Sequence, residues 1–304
     1  ILAEKKAKFL FFSAISFGLT IFSYNSSRVV TPLLLILLVA FYFKDLKKVK
    51  VKALSALVIF LVFFSVALPK AFLQDSSARY KWTQILDKGA INKIEELRRT
   101  SNLSPTLSKL HYNKATYLIS EVPLNYISHF NPKFLFTEGG SNFQFSVPGS
   151  GLVYPILTLP LLLGFLMILK ERKKWQLFVL AWLLIAPIPA AITRDSPHAL
   201  RSLMMIPPLI FIISLGVTKV VSPKKELIGS FIVAGALLLS LFSFWQNYSG
   251  EYIKKYSWSW QYGYQQAVNF VDKQAIDYDV IYFTKKYGEP HEFVLFYTKY
   301  DPFK

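Results

Sequence analysis

The chain has no cysteine. A disulfide framework, a thiolate metal site and a cysteine nucleophile are therefore excluded. Histidine is scarce too. The four residues His111, His129, His198 and His291 are scattered, and none falls into a zinc spacing such as H-x-x-x-H. No P-loop, G-x-S-x-G, H-E-x-x-H or dinucleotide fingerprint occurs, so no common catalytic motif carries an enzyme assignment. Charge is low at 17% of residues, and it is nearly missing from long apolar stretches.

What is abundant is apolar and aromatic. Hydrophobic residues make up 53% of the 304, with 27 Phe, 17 Tyr and 6 Trp. Ordinary soluble domains run at roughly 45–50%, a figure that includes Gly. The apolar residues come in long blocks with the charges gathered between them. Crossing a bilayer takes about 20 mostly apolar residues in a helix. The blocks Phe9–Tyr24, Val30–Phe43, Ala53–Phe72, Leu152–Leu169, Trp175–Ile192, Leu203–Val221 and Leu227–Trp245 predict seven spans. Pro187, Pro189, Pro207 and Pro208 suggest kinks, which neighbouring helices tolerate inside a bundle.

The net charge of +17 is one signature of nucleic-acid binding. Mapping the charges argues otherwise. Lys5, Lys6 and Lys8 precede the first span. Lys44, Lys47, Lys48, Lys50 and Lys52 follow the second. Lys170, Arg172, Lys173 and Lys174 follow the fourth, and Lys219, Lys224 and Lys225 follow the sixth. The alternate short loops hold only Arg28, Arg194 and Arg201. Basic loops stay cytoplasmic. The excess is thus an orientation signal, and no nucleic-acid partner is expected. The expected fold is an all-α multi-pass bundle in the plasma membrane, with its C-terminus extracytoplasmic. Its organisation is residues 1–72 as spans one to three, 73–151 as an outer segment, 152–245 as spans four to seven, and 246–304 as an outer tail.

Within the outer segment, Ala78–Thr100 alternates charges with Ile85, Leu86, Ile91, Ile94 and Leu97 at helical spacing. That pattern predicts an amphipathic juxtamembrane helix. Leu110–Phe130 is expected to form a second one. The Gly- and Pro-rich stretch Gly139–Gly151 predicts turns near the membrane surface. In the tail, a helix is expected over Tyr262–Val271, a strand over Val280–Phe283, and a helix or strand over Glu289–Tyr300. These would begin a small α/β unit that breaks off at Lys304. With no initiator Met and no signal-peptide pattern before Ile1-Leu2-Ala3, the chain is expected to be a fragment of a longer protein.

Three outer features combine polarity with a membrane-surface position. Arg28 lies in Tyr24-Asn25-Ser26-Ser27-Arg28, between two spans. Its planar fork suits a phosphate, and an interfacial anchor is the plainer alternative. Arg194-Asp195-Ser196-Pro197-His198-Ala199-Leu200-Arg201 packs two Arg, one Asp and one His into a minimal loop. Such a set suits a phosphate or pyrophosphate, with Asp195 orienting one Arg; a solvated turn is the plainer alternative. His111-Tyr112-Asn113-Lys114 with His129 and Asn131 suits proton transfer, but a structural role is the better expectation.

These stretches, in order, resemble the GT-C membrane glycosyltransferases of family 39, the group that includes protein O-mannosyltransferases and bacterial lipid-linked sugar transferases. The resemblance lies in Tyr24-Asn25-Ser26-Ser27-Arg28-Val29-Val30-Thr31-Pro32-Leu33, in Phe130-Asn131-Pro132-Lys133-Phe134-Leu135-Phe136 with Gly140 and Asn142, and in Gly149-Ser150-Gly151-Leu152-Val153-Tyr154-Pro155. It continues in Pro197-His198-Ala199-Leu200-Arg201 and Gly288-Glu289-Pro290 with Phe296-Tyr297 and Asp301-Pro302. It implies a GT-C-like bundle that moves a sugar from a polyprenyl-phosphate donor in the membrane lipid to a protein, lipid or glycan acceptor outside the cytoplasm. It implies phosphate or sugar contacts from Arg28, His198 and Arg201; Asn142 in the glycine-rich stretch and Arg194 and Asp195 of the dense loop complete the expected substrate-binding set. It also puts the acidic catalytic base upstream of Ile1, so the fragment alone should be inactive. Ser141, Phe143 and Gln144 depart from the more charged pattern around Asn142. No cofactor is implied with certainty, and a divalent metal is left open. The competing class is a transporter or lipid flippase, against which stands the near-absence of charge within the spans.

Overall fold

The computed structural model describes residues 9–72, 83–221, 226–301 and 303. The basic stub Lys5–Lys8, the residues Lys224 and Lys225, the start of the expected Ala78–Thr100 helix and Pro302 lie outside the described residues. The chain divides into two compact units, one up to Ala236 and one from Leu237.

The first unit opens with three apolar helices, α1 (Phe9–Ser23), α2 (Ser27–Lys48) and α3 (Lys50–Phe72). Small residues let α1 and α3 approach closely: Gly18 lies against the Phe63 ring, with Ala14, Ile21, Phe60 and Ala67 buried between the helices. In lipid such close packing, rather than water exclusion, holds helices together. Thr20 and Thr31 add a hydroxyl–hydroxyl bond of 3.2 Å between α1 and α2.

Three polar-faced helices follow: α4 (Lys88–Thr100), α5 (Pro105–His111) and α6 (Lys114–Ser128). Asp87 caps α4 by accepting from the Ala90 N–H at 2.9 Å, and α4 buries Ala90 and Ile94. The helix expected over Leu110–Phe130 forms as α6 but starts at Lys114, because Leu110 and His111 close α5. Asn113 caps α6 by accepting from the N–H groups of Ala115 and Thr116, while its own N–H donates to the Thr116 hydroxyl. A capping box starts a new helix, so the chain turns there.

The remaining helices of the unit are α7 (Thr158–Glu171), α8 (Lys174–Ile185), continued by a turn at Ile188–Ala191, and α9 (Ile206–Val220). Gly164 of α7 faces the Ile212 carbonyl and Gly216 of α9 faces that of Pro160, so two backbones touch. Phe134, Leu161, Ile168, Leu183, Met205 and Leu209 complete this core. The prolines behave in two ways. Pro187 and Pro189 end α8 and restart a short turn. Pro207 and Pro208 open α9, where a missing N–H costs nothing, so they introduce no kink.

α10 (Glu226–Asn247) begins in the first unit and ends in the second, and helical turns prolong it to Trp260. The second unit then has α11 (Tyr264–Gln274) and α12 (Pro290–Tyr297), joined by a 4.3 Å stack of Tyr264 on Phe293. The expected strand at Val280–Phe283 is not formed. Among the described residues there is no strand at all, only an isolated bridge between Gln84 and Thr193. A strand needs a partner ladder, and among the described residues Val280–Phe283 pairs with none. The tail is helical, not α/β.

Five helical stretches are long and apolar enough to cross a membrane: Ser27–Lys48, Lys50–Ala67, Lys174–Ala191, Leu203–Val220 and Leu227–Trp260. α1 and α7, at 15 and 14 residues, are shorter apolar helices. The fold is that of an all-α membrane protein.

Candidate functional site

The loop between α8 and α9 is built from inside outwards by two histidines. His129, at the end of α6, is fully buried, and its Nδ1 lies 2.8 Å from the Asn125 carbonyl. A carbonyl only accepts, so Nδ1 carries the proton. Nε2 is left as an acceptor and takes the His198 backbone N–H at 3.2 Å. The His198 ring, 3% exposed, uses Nδ1 to accept from the Arg201 N–H at 3.3 Å. Both rings are thereby fixed as neutral tautomers. Burial holds His129 below the usual imidazole range. His198 is pushed down to about 4, by burial first and then by the charge of Arg201. Ser202 completes the turn by donating to the His198 carbonyl at 2.8 Å.

The two arginines stand on this scaffold. Arg201 is half-buried and donates from one guanidinium nitrogen to the Thr193 hydroxyl at 2.8 Å and the Arg194 carbonyl at 2.7 Å. Burial lowers its proton affinity, while Tyr24 and Asp195 pull it back up; an arginine remains charged regardless. The Tyr24 effect joins this loop to the corner between α1 and α2. Arg194 is less committed. It lies 3.5 Å from an Asp87 oxygen and 3.6 Å from an Asp195 oxygen, with its side chain 41% exposed. Its Nε is buried without a hydrogen bond among the described residues. Its backbone N–H donates to Thr83, holding residues 83–87 against the loop.

Next to this loop lies the glycine-rich turn. Gly140 donates to the buried Ser146 hydroxyl at 2.8 Å, and a Cβ there would come within 3.0 Å of the Pro197 carbonyl. Gly139 has φ +67, a conformation that favours glycine. Between the turn and the loop opens a pocket of about 430 Å³, lined by Ser128, Asn131, Lys133, Glu138, Gly140 and Pro197 among others.

The residues expected from the sequence therefore separate into roles. Arg194, Asp195, His198 and Arg201 come together, but His198 faces inwards as scaffold. Arg28 sits on the first turn of α2 and donates to the Ile21 carbonyl at 3.4 Å. Asn142 holds a turn by accepting from the Gln144 N–H at 3.0 Å, while Ser141 and Phe143 beside it line the pocket. Tyr24, Thr193, Asp87 and Ser146 were not expected. Among the described residues no group of three or more His, Asp or Glu is placed to hold a metal ion. The chain matches no protein-family model, no curated protein and no solved structure.

Proposed function

We infer that the chain is part of an integral membrane glycosyltransferase that takes a sugar from a polyprenyl-phosphate donor and passes it to an extracytoplasmic protein, lipid or glycan. The carrying observation is Arg194, an arginine whose buried Nε has no hydrogen bond among the described residues and whose carboxylate contacts are long, at 3.5 Å and 3.6 Å. A guanidinium with unmet donors beside a second, half-buried arginine favours an anion with two or more oxygens. The order of the resembling stretches supports reading that anion as the donor's phosphate. In this reading seven helices cross the plasma membrane, α1 and α7 being the short ones, and the α8–α9 loop and the tail are extracytoplasmic.

The chemistry is a displacement at the anomeric carbon. The acceptor oxygen forms the new bond, the bond to the phosphate oxygen breaks, and the phosphate leaves with both electrons. Arg194, and Arg201 behind it, stabilise the charge that grows on that oxygen. The acceptor's proton goes to a carboxylate, which the resemblance puts before Ile1. The pocket next to Pro197 offers room for the sugar or the acceptor.

Binding of a short-chain polyprenyl monophosphate to the full-length protein in micelles tests this. Arg194→Gln should weaken binding at least tenfold, and loss of one such donor lowers turnover by about 10²–10³ where charge develops in the transition state. Arg201→Ala should abolish transfer, partly by releasing the loop it braces. Wild-type binding by Arg194→Gln, or translocation of a lipid-linked sugar without transfer, would overturn the proposal.

A further inference from the structure

An apolar groove of about 280 Å³ runs between α1, α2 and α3, away from the arginine loop, and Ala14, Phe17, Leu38, Ala56 and Phe60 form its walls. At one end stand Lys47, in the last turn of α2, and Lys50, in the first turn of α3. We propose that this groove binds an anionic phospholipid of the cytoplasmic leaflet, with one acyl chain along the groove and its phosphodiester between Lys47 and Lys50. The proposal rests on the membrane reading and the orientation of the basic loops, not on the transferase assignment.

Charge complementarity selects the occupant. Asp45, the one carboxylate of α2, is taken: it lies 2.9 Å from Lys174 and 3.9 Å from Lys48. Among the described residues neither Lys47 nor Lys50 has a carboxylate within ion-pair distance. The Lys47 ammonium lies 4.7 Å from the centre of the Phe43 ring, which also lines the groove, so the charge is held at the mouth. Basic pockets between membrane helices on the cytoplasmic side suit acidic head groups. Length agrees as well. From Lys50 to Phe60 the helix rises ~15 Å, the depth of one leaflet of a hydrocarbon core about 30 Å thick. A zwitterionic lipid would fit the walls equally and carries the same phosphodiester, but its own ammonium group offsets the attraction of the two lysines, so an anionic headgroup is favoured.

Native mass spectrometry of the detergent-purified chain, equilibrated with equal amounts of phosphatidylglycerol and phosphatidylcholine, tests this. The wild type should retain phosphatidylglycerol in at least tenfold excess. Lys47→Gln with Lys50→Gln should bring the ratio near one. Neutralising Lys170 and Arg172, exposed on another basic loop, should leave the excess unchanged. Ala56→Phe should lower occupancy by both lipids; if it fails to fold, the two exposed glutamine substitutions decide alone. Equal retention of both lipids by the wild type overturns the proposal. So does an unchanged ratio in the Lys47/Lys50 variant, an equal loss in the Lys170/Arg172 control, or a lipid-free dimer.

Discussion

Acidification should loosen the α8–α9 loop through His198 before it affects the helices. The ring is native in its neutral form because Nδ1 accepts from the Arg201 N–H. In the folded loop it takes a proton only near pH 4, against 6.5 for the ordinary imidazole. Between those values the unfolded loop holds more protons than the folded one. The stabilisation is therefore complete above about pH 6.5 and lost as pH falls towards 4. At 1.36 kcal/mol per pKa unit, the full effect is about 3 kcal/mol. His129 acts in the same direction, since burial also lowers its pKa. His198→Asn isolates the first contribution: an Asn Oδ1 can accept from Arg201 in place of Nδ1 but does not titrate. Carbon-detected NMR of labelled histidines in micelles should show one signal, lost in His198→Asn, that titrates well below pH 6. Thermal unfolding should fall less between pH 7 and pH 5 in the variant than in the wild type. A His198 signal titrating near 6.5, or identical pH slopes, would show that the ring is not buried as a neutral acceptor.

The contact of α7 with α9 gives a second expectation. A Cβ on Gly216 would collide with the Pro160 carbonyl, which cannot move as a side chain can, so Gly216→Ala should cost ~1–3 kcal/mol. Gly235 has nothing within 4 Å of such a Cβ, so Gly235→Ala serves as control, and equal melting temperatures would sink the packing account. The orientation is checked by Lys48→Cys, the only thiol in a chain without cysteine. An impermeant maleimide should label it in inverted vesicles and not in intact cells; labelling from outside would reverse the topology.

The helices were legible because apolar length is a local property. The second, third, fifth and sixth apolar blocks reappear as long apolar helices within a few residues of the expected edges, and the seventh starts at Leu227 as expected but runs on to Trp260, whereas the breaks between helices depended on chemistry that is easy to overlook. Asn113 sets the start of the helix expected from Leu110 four residues later, because its side chain and Thr116 form a reciprocal cap. Val280–Phe283 has the composition of a strand, but composition supplies no partner. At the site, the density of Arg194, Asp195, His198 and Arg201 in eight residues was visible in the sequence. Which of them faces outwards was not, because it depends on His129, 69 residues from His198. Tyr24 acts on Arg201 from the far end of the chain, and no spacing rule connects the two.

The division of labour in the loop follows from this geometry. A histidine that presented a positive charge to a phosphate would need its proton at neutral pH; burial lowers the pKa of both rings, that of His198 to about 4. Their hydrogen bonds fix the backbone at His198 and Arg201 instead. The fixed charge comes from guanidinium groups, which keep their protons despite burial. Arg201 spends donors on Thr193 and on the Arg194 carbonyl, so it holds Arg194 in place rather than competing with it. Arg194 is left with long contacts to two carboxylates and a buried Nε without a hydrogen bond among the described residues. An incoming phosphate would meet a cation whose position is already set by the neutral pair behind it, and would displace only weak ion pairs to reach it. The strength of that site should therefore depend on Arg194 directly and on His129 and His198 only through the shape they impose.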